Sequence, residues 1–171
     1  MPVFKYHPDP FRTGVFRELE EPETCPCCGK KTTTVYEGPF YSVEEVSGLC
    51  PDCIASGAAA EKFDGEFQDS ESVDEVSDPA RLEELTRRTP GYCGWQQEYW
   101  LGCCDDYCAF LGYYTWKQLE DAGLAKEIEE TYREDVCGID FEDAKDHLEN
   151  NEGYLFRCLH CGKHYIYIDF D

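Results

Sequence analysis

Three pairs of cysteines, each with two residues between its members, constrain this 171-residue chain more than any other feature. The pairs are Cys25/Cys28, Cys50/Cys53 and Cys158/Cys161. Two of them belong to nearly the same hexapeptide, CPCCGK at 25–30 and CLHCGK at 158–163. In a tight turn this spacing allows both thiolates to bind one ion at about 2.3 Å, and the glycine leaves backbone N–H groups free to face sulfur. The pairs therefore indicate structural metal sites.

The first two pairs form the first predicted zinc site. They are separated by residues 29–49, a spacing typical of structural Cys₄ zinc sites. The predicted ligands are Cys25, Cys28, Cys50 and Cys53. Three thiols outside the pairs are expected to lie in the core, and these are Cys27, Cys93 and Cys137.

The third pair needs two further ligands. Cys104 and Cys108 lie four positions apart, which on a helix places both side chains on one face. The second predicted zinc site therefore consists of Cys104, Cys108, Cys158 and Cys161. Cys103 competes with Cys104 for this role, and the sequence also leaves open a crossed arrangement in which the first and third pairs share one ion.

The N-terminal sequence and the cysteine content together predict a cytoplasmic protein. The segment MPVFKYHP at 1–8 lacks the apolar region of a secretory signal. In a reducing compartment, thiolates serve metal binding or catalysis more often than disulfides. CPCC at 25–28 superficially resembles a thioredoxin-type redox motif, but it lacks the preceding strand and following helix of that motif.

The charge of the chain excludes two classes of partner. It contains 37 Asp and Glu against 15 Lys and Arg, a net charge of −22, and its longest basic clusters are the dipeptides at 30–31 and 87–88. Binding to nucleic acid or to anionic lipid requires a larger basic footprint. The longest uncharged apolar stretch, 107–116, is about half of a membrane span. We therefore expect no direct nucleic-acid partner and no membrane partner.

Catalysis has little support in the sequence. A Cys₄ zinc site is coordinatively closed, whereas a catalytic zinc keeps an open position. The alternative is a metal-dependent hydrolase that uses His147, one helical turn after Asp143, or the acid pairs Asp105/Asp106 and Asp169/Asp171. Because the chain lacks basic residues that would place a phosphate substrate, a non-catalytic protein is favoured.

The residue patterns predict an α+β fold with zinc-binding elements at both ends, a helical aromatic-rich middle and a C-terminal β-hairpin. Residues 1–63 are expected to form an extended arm, a strand at 32–36, the pair of knuckles of the first zinc site and a helix at 53–63. An acidic linker is predicted at 64–77, and the rest, 78–171, is a helical core that ends in a hairpin over 154–170. Helices are predicted after the capping residues Asp78, Thr115 and Asp140.

Several motifs in this order resemble the CbrC-like family of bacterial proteins, nearly from end to end. They are GPFY at 38–41, LCPDCIA at 49–55, AAEKFD at 59–64, RTPGY at 88–92, WQQE at 95–98, CDDYCAFLG at 104–112 and GYLFRCLHCG at 153–162. The resemblance implies a cytosolic bacterial protein from a family with a member linked to tolerance of a nuclease colicin. It implies no catalytic residue.

The acidic composition and this resemblance together suggest a binding module. Residues 127–152 carry eleven acids and two bases, Arg133 and Lys145. Nuclease toxins are basic because they hold nucleic acid, and a surface rich in carboxylates attracts such proteins at long range. We expect a basic protein as partner. The alternative is that the charge only keeps the protein soluble.

Overall fold

The computed structural model describes residues 1–169, and it confirms the α+β fold class. Phe170, predicted as the end of the hairpin, and Asp171, predicted as one member of an acid pair, lie outside the described residues. The elements are β1 (Phe16–Thr24), β2 (Lys31–Tyr36), α1 (Pro51–Ala55), α2 (Ala58–Phe63), α3 (Pro79–Arg88), β3 (Gly102–Cys103), β4 (Asp106–Tyr107), β5 (Ala109–Tyr114), α4 (Trp116–Asp121), α5 (Ala125–Thr131), α6 (Glu134–Cys137), α7 (Phe141–Leu148), β6 (Gly153–Arg157) and β7 (His164–Tyr167).

An antiparallel ribbon of β1 and β2 begins the fold. Phe16 pairs with Tyr36, and the ribbon closes where Thr24 pairs with Lys31. The β-branched run at 32–35 favours this extended conformation. The buried end of the ribbon packs on α1, α2 and Phe67, and this group of residues, which also includes Phe4, is the N-terminal core. Gly57, with φ of +77°, divides the single helix predicted at 53–63 into α1 and α2.

A three-stranded antiparallel sheet in the order β5-β6-β7 forms the other half of the molecule. The predicted hairpin is confirmed, with Tyr154 opposite Tyr167 and Phe156 opposite Tyr165. One face of the sheet, which includes Phe110 of β5, packs with Tyr6, Tyr92 and Trp100 into an aromatic group, the C-terminal core. Rings in this core lie close together, with centroids 4.4 Å apart for Tyr92 and Phe110, an offset-stacked separation that stabilises aromatic clusters.

Helices α4, α5 and α7 cover the opposite face of that sheet. Their buried side chains, among them Leu119, Ile128 and Leu148, contact Leu155 and Ile166 of β6 and β7. The predicted capping residues are confirmed: Asp78 accepts a hydrogen bond from the N–H of Ala80, Thr115 forms a capping box with Gln118, and Asp140 accepts from the N–H of Asp143. These caps satisfy N–H groups that the helix itself leaves unpaired, which is why sequence locates them well.

Residues 99–114 differ from the helical arrangement that the Cys104–Cys108 spacing predicts. The chain forms β3, a two-residue turn at Cys104–Asp105, and then β4 and β5. Both turn residues have positive φ, +55° and +56°, as a type I′ hairpin turn requires. The four-residue spacing therefore does not place Cys104 and Cys108 on one face of a helix.

Part of the segment predicted as a linker is packed. Phe67 and Gln68 in the 64–77 stretch are buried, and the N–H of Phe67 donates to the carbonyl of Thr86. Asp74 accepts hydrogen bonds from the N–H of Gly102 and the hydroxyl of Tyr99. The acidic residues of this segment thus include one that holds the β3–β4 hairpin.

Two of the three tryptophans lie in cores, and the third does not. Trp100 and Trp116 are buried, whereas the side chain of Trp95 is 81 % exposed. Among the described helices, none is both long and apolar enough to cross a membrane.

Candidate metal centres

Four cysteines from two separate elements form the N-terminal thiol cluster, Cys25, Cys28, Cys50 and Cys53. Cys25 and Cys28 lie in the turn between β1 and β2, where the N–H of Cys25 donates to the carbonyl of Lys30 and the N–H of Gly29 to that of Cys25. Gly29 has φ of +72°, which favours glycine. Cys50 is the N-cap of α1 and Cys53 lies in its first turn, so both face the knuckle.

The sulfur positions of this cluster match tetrahedral coordination. All four Sγ atoms lie within 4.8 Å of one another, with 3.9 Å between Cys25 and Cys53 and 4.0 Å between Cys28 and Cys50. Four metal–sulfur bonds of about 2.3 Å at tetrahedral angles separate the sulfurs by about 3.8 Å. The cluster could therefore hold one metal ion without rearrangement of its backbone.

Backbone N–H groups and burial act in opposite directions on these thiols. Burial raises the pKa of Cys25, but the N–H groups of Cys28, Cys50 and Cys27 outweigh it and lower that pKa to about 7; the N–H of Cys50 lies 3.4 Å from the sulfur. Burial raises the pKa of Cys50 and Cys53. Burial thus favours the neutral thiols of Cys50 and Cys53. A bound metal ion reverses this preference, because its positive charge deprotonates the thiols that coordinate it.

A second group, the C-terminal thiol cluster, consists of Cys103, Cys104, Cys158 and Cys161. The Sγ atom of Cys103 lies 3.6 Å from that of Cys104 and 3.7 Å from that of Cys161. All four sulfurs lie within 4.8 Å of one another, so this cluster could also hold one metal ion. Within residues 1–169, these two clusters are the groups of three or more possible ligands at such distances.

The C-terminal thiol cluster differs from the predicted set in one member, because Cys103 takes the position expected for Cys108. Cys108 follows the β3–β4 hairpin and is fully buried in the C-terminal core, where its backbone bonds to Leu101 and to the indole of Trp100. Burial raises the pKa of the Cys108 thiol. The tight turn at Cys104–Asp105 directs the side chains of Cys103 and Cys104 toward the same cluster. From the sequence, these two cysteines were expected to compete for one position.

A buried carboxylate connects the C-terminal thiol cluster to the N-terminal arm. Asp106 accepts hydrogen bonds from the hydroxyl of Tyr6 at 2.7 Å, from Nζ of Lys5 at 2.9 Å and from Nε2 of His160 at 2.8 Å. Burial opposes ionisation of Asp106, but these donors outweigh it and hold its pKa at about 2. His160 lies between Cys158 and Cys161, so Asp106 fixes the orientation of their turn.

The knuckle at 158–163 repeats the N-terminal one in its own hydrogen bonds. The N–H groups of His160 and Cys161 each lie 3.4 Å from the Sγ atom of Cys158. Burial raises the pKa of Cys158, and these N–H groups outweigh it, so that the pKa falls to about 6. Cys103 also contacts the hydroxyl of Tyr165 at 3.1 Å, a contact that the sequence gave no means to foresee.

Of the remaining candidates, His147 and Asp169 line one cleft, whereas the adjacent carboxylates Asp105 and Asp106 face different partners. The carboxylate of Asp105 bonds to the N–H and hydroxyl of Ser77, whereas that of Asp106 faces Tyr6, Lys5 and His160. His147 belongs to neither thiol cluster. Of the thiols expected in the core, Cys137 is buried, Cys27 is half-buried and Cys93 is exposed.

Comparison with known proteins identifies relatives along the whole chain. A family model described as an uncharacterised protein family, UPF0167, matches residues 1–170. The UPF0167 protein of Pseudomonas aeruginosa is 38% identical over 176 residues, covering 99% of this chain and 97% of that protein. UPF0167 proteins of Mycobacterium bovis and Mycobacterium tuberculosis are 38% identical over 181 residues, covering 99% of this chain and 94% of theirs. A comparison with solved structures finds no match. With this coverage and identity, the chain belongs to the UPF0167 family.

Proposed function

We propose that this protein is a non-catalytic, zinc-stabilised binding protein with one zinc ion in each thiol cluster. The observation that carries the zinc assignment is that the four sulfurs of each cluster lie within 4.8 Å of one another, with two pairs in each cluster at 3.6 to 4.0 Å. These distances fit tetrahedral coordination by four thiolates. Four protein ligands leave no open position for a substrate or an activated water. The two ions therefore act on stability and on the placement of distant segments.

Metal analysis of the native protein tests this assignment. We expect two zinc ions per chain by elemental analysis. We also expect no visible absorption, which distinguishes zinc from the coloured iron–sulfur clusters that Cys₄ sets also bind. Replacement by Co²⁺ is expected to give the intense bands of tetrahedral thiolate coordination. Iron with inorganic sulfide, or a protein with free thiols and no metal, would contradict the zinc assignment.

The second part of the proposal concerns the acidic face, defined here as the exposed acids of 127–152. They are Glu129, Glu130, Glu134, Asp135, Asp140, Glu142, Asp143, Asp146, Glu149 and Glu152. Within residues 1–169, ion pairs neutralise two of them, Glu130 by Lys126 and Asp135 by Arg133. Most of this charge is therefore available to a partner, and we propose that the partner is a basic protein, of which a nuclease toxin is the example that the CbrC-like resemblance suggests.

Charge-matched variants separate a specific acidic face from general attraction by a net charge of −22. The triple variant Glu142→Gln, Asp143→Asn, Asp146→Asn removes three charges from α7, and the control Glu20→Gln, Glu21→Gln, Glu23→Gln removes three exposed charges from β1. We expect the α7 variant to weaken binding to the basic nuclease domain of a colicin more than the control does. Equal weakening, or no binding at low salt by the parent protein, would contradict a role for this face.

A further inference from the structure

Among residues 1–169, a cleft lined by no residue of either thiol cluster has the lining of a cation site. Its volume is about 350 Å³, at the small end of the range for ligand pockets. The aromatic residues Trp95, Tyr113 and Tyr154 line it together with His147 and with two carboxylates, Glu152 and Asp169. Neither lysine nor arginine is among its described lining residues.

The buried carboxylate of this cleft is held in place by hydrogen bonds, and it has no counter-ion among residues 1–169. Asp169 is only 8 % exposed, and it accepts hydrogen bonds from the hydroxyl of Tyr154 at 2.9 Å and from the N–H of Gln96 at 2.7 Å. None of the ion pairs formed among residues 1–169 includes Asp169 or Glu152. A buried carboxylate is usually paired with a cation, because removing a charge from water is costly.

An aromatic side chain at the mouth of the cleft has no role in the core. The indole of Trp95 is 81 % exposed, yet its backbone N–H is fixed by a 2.7 Å hydrogen bond to the hydroxyl of Tyr154. The same hydroxyl bonds to Asp169, so the loop, the tyrosine and the carboxylate form one connected unit. Exposed tryptophan next to carboxylate is the combination that binds ammonium and guanidinium groups through cation–π and ionic contacts.

We propose that the cleft beside Trp95 binds an organic cation, an ammonium or guanidinium group. This group belongs either to a small free molecule or to a lysine or arginine side chain of a protein. The proposal rests on Trp95, Tyr154 and Asp169, and it is independent of the zinc assignment and of the three α7 acids tested above; of the acidic face, Glu152 lines the cleft. Loss of the α7 charges would leave it intact, and loss of Trp95 would leave the net charge unchanged.

Titration of the full-length protein with matched probes tests the proposal. Calorimetry and tryptophan fluorescence are measured with choline, with agmatine and with dimethylbutanol, the neutral isostere of choline. Because Trp100 and Trp116 are buried, a change in emission on binding reports on Trp95. Gly-Arg-Gly and Gly-citrulline-Gly peptides form the arm that detects a side-chain cation. We expect saturable binding of a charged probe and none of its neutral counterpart.

Three variants locate the binding. Trp95→Ala removes an exposed side chain and is expected to weaken binding about ten-fold, and Asp169→Asn is expected to weaken it at least as much. Glu152→Gln is compared with Glu149→Gln, an exposed acid of the same segment that does not line the cleft. Since Asp169→Asn also alters a buried hydrogen-bond network, Trp95→Ala is the deciding variant.

The outcomes distinguish the two sources of the cation from each other, and they distinguish both from the absence of a cation site. Binding of choline or agmatine indicates a free cation, and binding of the arginine peptide alone indicates a protein side chain; both support the site. Equal binding of charged and neutral probes, cation binding unchanged by Trp95→Ala, or no saturable binding up to millimolar concentrations would overturn it.

Discussion

The two thiol clusters use the same knuckle but complete it in different ways. In each knuckle the N–H of the first cysteine donates to the carbonyl of the lysine five residues later, at 2.9 Å in one and 2.8 Å in the other. The glycine before that lysine has φ of +72° in the first and +75° in the second. The second half of the N-terminal cluster is the start of helix α1, whereas that of the C-terminal cluster is the turn of the β3–β4 hairpin.

Burial separates the clusters more than geometry does. Three cysteines of the N-terminal cluster are buried and belong to the N-terminal core. In the C-terminal cluster only Cys158 is buried, and the cluster lies at the margin of an aromatic core that contains Tyr92, Trp100 and Phe156. A metal ion at the centre of a small core supplies folding free energy that the few apolar contacts there cannot supply. A metal ion at the edge of a large core only adds to the stability that apolar contacts already provide. Stability should therefore depend more on the N-terminal ion.

The largest predicted effect is the loss of the N-terminal ion. Cys53→Ser should release one zinc and destabilise the N-terminal core by more than about 5 kcal/mol, because metal binding supplies folding free energy. Cys161→Ser should also release one zinc but with a smaller loss, since the aromatic core remains. Elemental analysis and thermal denaturation measure both effects, with Cys27→Ser as the non-ligand control. A larger destabilisation by Cys161→Ser would reverse the comparison.

A pair of variants decides which thiols complete the C-terminal cluster. Cys103→Ser should reduce the metal content from two ions to one, because its sulfur lies 3.7 Å from that of Cys161. Cys108→Ser should keep both ions and cost about 1–3 kcal/mol, the penalty for placing a hydroxyl in an apolar site. The measurements are the zinc-to-protein ratio and the denaturant midpoint. Retention of two ions in Cys103→Ser with loss of one in Cys108→Ser would contradict the cluster described above.

Asp106 orients the C-terminal knuckle through His160, and within residues 1–169 no carboxylate is bonded in this way to the N-terminal knuckle. Asp106→Asn should weaken zinc at the C-terminal cluster about 10- to 100-fold, the usual effect of removing a group that orients metal ligands, and leave the N-terminal ion unaffected. Competition with a chromogenic chelator measures the two affinities. Asp52→Asn, an exposed acid beside Cys53, is the matched control. Equal weakening at both clusters would mean that Asp106 acts through global stability.

A buried histidine gives the C-terminal core its own pH dependence. Nδ1 of His7 donates to the carbonyl of Pro90, Nε2 accepts from the hydroxyl of Thr13, and the ring packs on Phe110. Burial lowers the pKa of His7 to about 4 from the usual 6.5. The folded state therefore binds fewer protons, so the stability that His7 contributes is present above pH 6.5 and is lost as the pH falls toward 4.

The expected size of that effect is about 2 kcal/mol between pH 7 and pH 5. Denaturant unfolding of the parent and of His7→Gln at both pH values measures it, because subtracting the two proteins cancels the acid sensitivity of the metal sites. The stability difference should narrow at pH 5. A constant difference would show that the pKa of His7 is the same in the folded and unfolded states.

Local patterns predicted the elements that depend on nearby residues. The knuckles close through hydrogen bonds within six residues, the caps at Asp78, Thr115 and Asp140 act on the next few N–H groups, and the final hairpin follows from alternating apolar residues. The turn at Cys104–Asp105 was missed because neither residue is a glycine or asparagine, the usual signal for positive φ.

Sequence alone thus determined the cysteine set of the N-terminal cluster, the mixed fold class and the positions of the caps, since each depends on a few neighbouring residues. Tertiary structure decided that Cys103 rather than Cys108 joins the C-terminal cluster, that Phe67 of an acidic segment is buried, and that Trp95 remains exposed beside Asp169. Each of these depends on contacts between residues far apart in the chain, such as Cys103 with Cys161 and Gln96 with Asp169. No local pattern records such contacts, because they arise only when separate elements pack together.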